Sequence, residues 1–168
     1  MFDVGVLVEP NAKTNGFVGG LLAGYNWQAG NWVFGLEGDF GWSNAHGSGF
    51  DVAANPNPNT YDIDWTGHLR GRIGIVPGSA PLLIFVAGGA AFSRFVFTDG
   101  ETLEKTATTY TGASLGAGID YAVTNQILVR AEWLHDFYNM SNGIALHDYT
   151  AKLKNTDTAR AALVFKFN

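Results

Sequence analysis

Trp32-Val33-Phe34-Gly35-Leu36-Glu37-Gly38-Asp39-Phe40-Gly41-Trp42 is the stretch on which the fold turns. Trp32, Phe34, Leu36, Phe40 and Trp42 are apolar and even-numbered, whereas Glu37 and Asp39 sit at odd positions between them. Successive side chains of an extended strand point to opposite faces, so this segment is greasy on one face and charged on the other. One indole stands at each end of the greasy face. A bilayer-spanning strand needs this combination: one face meets lipid, the other looks into a barrel, and amphipathic rings rest at the two headgroup levels. The chain reads as all-β, an antiparallel up-and-down transmembrane β-barrel.

Composition agrees. At 168 residues the chain, 1–168, is read as one barrel domain. It has 22 glycines, 14% aromatic residues and only 15% charged residues, against about 25% charged in a typical soluble domain. A net charge of -5 with scattered Lys and Arg argues against a nucleic-acid partner. No cysteine is present, so there is neither a disulfide framework nor a thiolate metal site. No apolar run is long enough for a membrane helix, so lipid contact has to come through strands.

Alternating segments recur along the chain, joined in turn by short and long connections. Phe17, Leu21, Ala23, Tyr25 and Trp27 oppose Gly20, Gly24, Asn26 and Gln28, and Ala29-Gly30-Asn31 reverses tightly into the Trp32–Trp42 segment. Tyr61, Ile63, Trp65, Leu69, Ile73 and Ile75 oppose Asp62, Asp64, Thr66, His68, Arg70 and Arg72 in what reads as one unbroken register. After the Pro77–Pro81 turn, Leu82 to Ala91 is apolar on both faces; Ile84, Val86, Ala90 and Phe92 are placed outward and Ala87, Gly89, Ala91 and Ser93 inward. Two more segments flank Thr124-Asn125, and a last one carries Ala159, Ala161, Leu163, Phe165 and Phe167 against Arg160 and Lys166. Polar loops are expected at Ser43–Thr60, Asp99–Thr108 and Asn139–Asn155, the external side of a barrel with tight periplasmic turns.

Eight strands are expected, with the first short or missing. Only seven are clear from Phe17 onward, and Phe2–Val8 reads as too short for a full span. Residues 1–15 are therefore expected to be a first external loop or a partial first strand, with the true first strand and an export signal upstream. An open seven-strand sheet would leave unpaired backbone groups in hydrocarbon.

The inward set is charged: Glu37, Asp39, Asp64, Asp120, Glu132 and Asp136 against Arg70, Arg72, Arg130, Arg160 and Lys166. Charges shielded from water survive when paired and hydrogen-bonded, and an eight-stranded barrel is just wide enough for side chains to fill. A polar, plugged interior is the favoured reading. A narrow porin-like channel for small ions or solutes uses the same residues, and a soluble lipocalin-like ligand-binding barrel would turn the faces inside out. The lipid-facing girdle is read as Tyr25, Trp27, Trp32, Trp42, Tyr61, Trp65, Tyr121, Trp133, Phe165 and Phe167.

Catalytic patterns are weak. His46, His68, His135 and His147 share no metal-ligand spacing, and Gly47-Ser48-Gly49 lacks the strand-to-helix context of a nucleophile elbow. No catalytic residue, cofactor or metal is expected. The partners expected are outer-membrane lipid and surface ligands reached through the external loops, with the oligomeric state left open.

Several motifs together resemble a known family. They are Gly16-Phe17-Val18-Gly19-Gly20, Ala23-Gly24-Tyr25-Asn26-Trp27-Gln28, Val33-Phe34-Gly35-Leu36-Glu37-Gly38-Asp39-Phe40, Trp65-Thr66-Gly67-His68-Leu69-Arg70-Gly71-Arg72-Ile73-Gly74, Ala87-Gly88-Gly89-Ala90-Ala91-Phe92, Gly116-Ala117-Gly118-Ile119-Asp120-Tyr121 and Arg130-Ala131-Glu132-Trp133-Leu134. The set resembles the small OmpA-like, porin-family outer-membrane surface antigens of Gram-negative bacteria. The resemblance implies an eight-stranded outer-membrane barrel with envelope-stabilising and surface-antigen roles and no catalytic residues to carry over. Such proteins usually finish on an aromatic residue, whereas here Asn168 follows Phe167.

Overall fold

The computed structural model of the chain describes residues 2–10, 17–43, 46–49, 59–98, 105–138, 144–146, 149–151 and 155–167. Eight long strands build a wall: β1 (Phe2–Pro10), β2 (Phe17–Ala29), β3 (Trp32–Ser43), β5 (Asn59–Ile75), β6 (Leu82–Thr98), β7 (Lys105–Ala122), β8 (Ile127–Tyr138) and β11 (Thr156–Phe167). Three short pieces, β4 (His46–Gly49), β9 (Ile144–Leu146) and β10 (Tyr149–Ala151), belong to the long connections. The wall runs β3-β2-β1-β11-β8-β7-β6-β5, and β3 pairs again with β5. That last pairing closes the barrel, all pairs being antiparallel.

The first strand is short but present. Phe2–Pro10 bonds to β2 along its full nine residues and to β11 from Phe2 to Val8. Of the two expected alternatives, a short first strand or a missing one, the structure has the short strand over 2–10, so no strand upstream is needed to pair β2 with β11; residues 1 and 11–16 lie outside those described. Among the described residues each of the eight wall strands is paired on both sides over its central part, which is the condition for a sheet to survive in hydrocarbon.

Short turns gather at one end, where Phe2 pairs with Tyr25 and Phe167. Gly30-Asn31 joins β2 to β3 with Gly30 at φ 61°, a left-handed conformation that glycine adopts without steric cost. Between β7 and β8 the Thr124 hydroxyl accepts from the backbone N–H groups of Gln126 (3.2 Å) and Ile127 (2.9 Å). At the opposite end the strands outrun the sequence reading. The expected Ser43–Thr60 loop contains β4, which pairs with β5; Asp99–Thr108 is shortened because β7 begins at Lys105; and Asn139–Asn155 carries the β9–β10 hairpin. The rest of those loops lies outside the described residues.

The register of β5 is broken once. A bulge lies between Ile63 and Trp65, leaving Asp64 unpaired in the ladder with β6. Beyond it the wall alternates without interruption: on β8, Leu128, Arg130, Glu132, Leu134, Asp136 and Tyr138 are buried, while Val129, Trp133 and Phe137 are exposed. The outer face is apolar all round, with Leu69 63% and Leu36 58% exposed. On β6, Ile84 and Val86 are exposed and Ala87, Ala91 and Ser93 buried, as expected, whereas Gly89, expected inward, is exposed, and Ala90 and Phe92, expected outward, are half-buried. Where the backbone of β6 passes closest to that of β5 only glycine fits. A Cβ on Gly89 would lie 2.1 Å from the Leu69 carbonyl oxygen.

Candidate functional site in the barrel lumen

Inward positions two residues apart on neighbouring strands bring the charges together in layers. The ladder sets Glu37 beside Arg70 and Asp39 beside His68 between β3 and β5. It also sets Asp120 beside Arg130 between β7 and β8, and Arg160 beside Glu132 between β11 and β8. Opposite charges directly across a strand pair attract. Each of these residues then reaches over the lumen to a second partner.

Arg70 donates from Nη1 to Glu132 Oε1 (2.7 Å) and from Nη2 to Glu37 Oε1 (2.7 Å) and Asp39 Oδ2 (3.3 Å). Arg130 grips Asp120 with two nitrogens, Nε to Oδ1 at 2.6 Å and Nη2 to Oδ2 at 3.0 Å, and donates through Nη1 to Glu37. Arg160 donates to Glu132 Oε2 (2.9 Å) and Asp39 Oδ2 (3.2 Å). Arg72 donates to Asp120 Oδ2 (3.1 Å) and to the Asn26 amide oxygen (2.9 Å). His68 lies between two carboxylates, Nδ1 2.7 Å from Asp39 and Nε2 3.2 Å from Asp136. Were both ring nitrogens to carry protons, His68 would add a fifth cation to the four arginines and match the five carboxylates of the network. All of these side chains are buried, Arg70 and Arg130 completely.

The barrel brings together Glu37, Asp39, Arg70, Arg72, Asp120, Arg130, Glu132, Asp136 and Arg160. Two residues expected with them stand elsewhere. Asp64, on the bulge, is about half exposed on the outside and faces Arg94 at 3.7 Å. Lys166 points inward but stands beyond the network, half-buried at the turn end, where it lines a cavity. Asn26, His68 and Phe85 complete the cluster and were not among the expected members. The Phe85 ring lies 4.9 Å from both the Arg72 and Arg130 guanidinium carbons, so its face receives two cations. The only signal for Phe85 was an apolar residue at an inward position of a strand apolar on both faces.

Of the aromatic set, Tyr25, Trp27, Trp32, Trp42, Tyr121, Trp133, Phe165 and Phe167 are exposed on the outer wall. Trp65 is only half exposed, its ring stacked on Phe40 at 5.4 Å. The side chain of Tyr61 lies outside the described residues. The rings form local clusters, Tyr25 with Trp27 (4.7 Å) towards the turn end and Phe40 with Trp42 (4.9 Å) towards the other.

Comparison with known proteins gives one answer. Residues 3–167 match the family model of the outer membrane protein beta-barrel domain. A 22 kDa outer membrane protein of Rhizobium leguminosarum is 36% identical over 74% of this chain and 54% of its own length. A 31 kDa outer-membrane immunogenic protein of Brucella melitensis is 32% identical over 94% of this chain and 69% of its own length. The chain thus spans about half the length of the first relative and two thirds of the second. Among solved structures, the N-terminal β-barrel domain of Pseudomonas aeruginosa OprF superposes with a TM-score of 0.61 at 15% identity, over 99% of this chain and 96% of that one. A major outer membrane protein of Thermus thermophilus superposes with a TM-score of 0.65 at 12% identity, over 99% and 100%. With its closed antiparallel wall and a family match over almost its whole length, the chain belongs to the outer-membrane β-barrel proteins of Gram-negative bacteria.

Proposed function

We propose that this barrel is a non-conducting, non-enzymatic anchor that lies in lipid and holds its external hairpins at the cell surface. One observation carries the reading: the ion-paired network spans the lumen from wall to wall, linking β3, β5, β7, β8 and β11. Fixed charges bonded to each other across the bore hold the space an ion file would need. The outer wall suits lipid. Trp32 and Trp42 are ten residues apart on β3, which at ~3.3 Å per residue and a tilt of ~40° is ~25 Å along the membrane normal, the height of the apolar band of such barrels. The strands that project past the wall at the end opposite the turns supply a presentation surface, in keeping with relatives named as immunogenic proteins. A lipocalin-like arrangement would need the apolar face inside, the reverse of what is observed.

Reconstitution into planar bilayers tests the closed lumen. Wild-type protein is expected to be electrically silent. Steady ion steps that disappear in Glu132→Gln would favour the narrow channel instead.

A further inference from the structure

The charged plug does not fill the lumen as far as the short turns. Beneath the Arg72–Asp120 pair a cavity of about 390 Å³ opens at that end, the periplasmic one in this topology. Its character differs from that of the plug. Val33, Leu83, Ala122 and Leu128 supply an apolar wall, and Pro81 from the β5–β6 turn overhangs it. Arg72 and Asp120 line its inner end and neutralise each other at 3.1 Å.

Lys166 is the exception. It occupies the last inward position of β11, lines the cavity and makes no ion pair with any described side chain, whereas every arginine of the plug has carboxylate partners. Gln28 stands on the same rim; its Nε2 gives one proton to the Gly30 carbonyl at 3.0 Å and has a second to give. A cup of this size with an apolar wall and a few converging polar groups has the general form of a small-molecule site.

We propose that this vestibule binds a small monocarboxylate with a compact apolar body, the body against Val33, Leu83 and Leu128 and the carboxylate on Lys166 Nζ and the free Gln28 N–H. The assignment goes beyond the anchoring role and does not require it. Asp3 holds the register position across from Lys166, and the probe is taken into the millimolar range.

The test is a titration of the chain, folded in lipid nanodiscs, with 3-phenylpropionate, followed by the backbone amide signals of Gln28, Leu83, Ala122 and Lys166. Saturable shifts confined to these and adjoining positions are expected. Lys166→Gln should weaken binding about tenfold, the usual worth of a hydrogen-bonded charge, and 3-phenylpropan-1-ol, which lacks the charge, should bind wild type equally weakly. Ala122→Trp should fill the cup and abolish the shifts. Absence of saturable shifts overturns the proposal. So does equal binding of acid and alcohol to wild type, a comparison that needs no variant to fold, and so do shifts that persist in Ala122→Trp.

Discussion

Arg130→Ala is expected to lower the stability of the barrel by about 3–5 kcal/mol, the cost of removing one partner from a buried ion pair. The guanidinium satisfies Asp120 with two hydrogen bonds and Glu37 with a third, from a completely buried position on β8. Its loss leaves Asp120 with Arg72 alone and strips one of the partners of Glu37. Arg130→Lys should cost less than alanine but remain destabilising, because an ammonium keeps the charge and gives up the two-pronged contact. Urea unfolding from lipid vesicles, read by the mobility difference between folded and unfolded barrel in unheated gels, measures both. Arg130→Ala combined with Asp120→Ala should cost less than the sum of the single variants, since the partners share one interaction. A cost below about 1 kcal/mol for Arg130→Ala would place this contact among weakly coupled surface pairs, and the plug would then not hold the wall together.

Leu69→Arg is expected to destabilise the inserted barrel by about 2–4 kcal/mol, the cost of a cation on the lipid face near mid-bilayer. In a water-soluble barrel the same substitution would be almost silent, because Leu69 is 63% exposed and exposed sites away from special features tolerate change within about 0.5 kcal/mol. Thr109→Arg supplies the control. Thr109 is exposed on the part of β7 that projects past β8, whose pairing begins at Gly112, and its substitution should leave stability unchanged. Equal, small effects at the two positions would remove the lipid from the outer wall. The effect at Leu69 alone distinguishes a membrane wall from a water-facing one, which the apolar composition of the wall does not by itself do.

The face each residue takes was legible because strand geometry repeats every two residues and the apolar and charged sets of Trp32–Trp42 differ sharply. Partnership was less legible. That Glu37 and Arg70 both point inward follows from their own strands, but their contact depends on the register between β3 and β5, which no local pattern contains. Depth was misjudged for the same reason: Lys166 has the right parity, yet parity says nothing of height along the bore. Asp64 was misplaced by a bulge that leaves the alternation of the neighbouring residues unchanged to the eye. Phe85 was hidden because β6 is apolar on both faces, so its inward ring did not stand out from its outward neighbours. The first strand carries its own alternation, with Val4, Val6 and Val8 at even positions against Asp3 and Glu9 at odd ones.

Everything depends on which side of the wall meets hydrocarbon, and the absence of cysteine makes that directly measurable. Single cysteines placed in turn from Gly67 to Ile73 on β5, spin-labelled in lipid vesicles, can be probed for collision with oxygen, which concentrates in lipid, and with a water-soluble nickel chelate. Labels at Gly67, Leu69, Gly71 and Ile73 are predicted to meet oxygen freely and the chelate hardly at all, while those at His68, Arg70 and Arg72 meet little of either. Chelate access at Leu69 and Ile73, or no alternation between odd and even positions, would contradict the account.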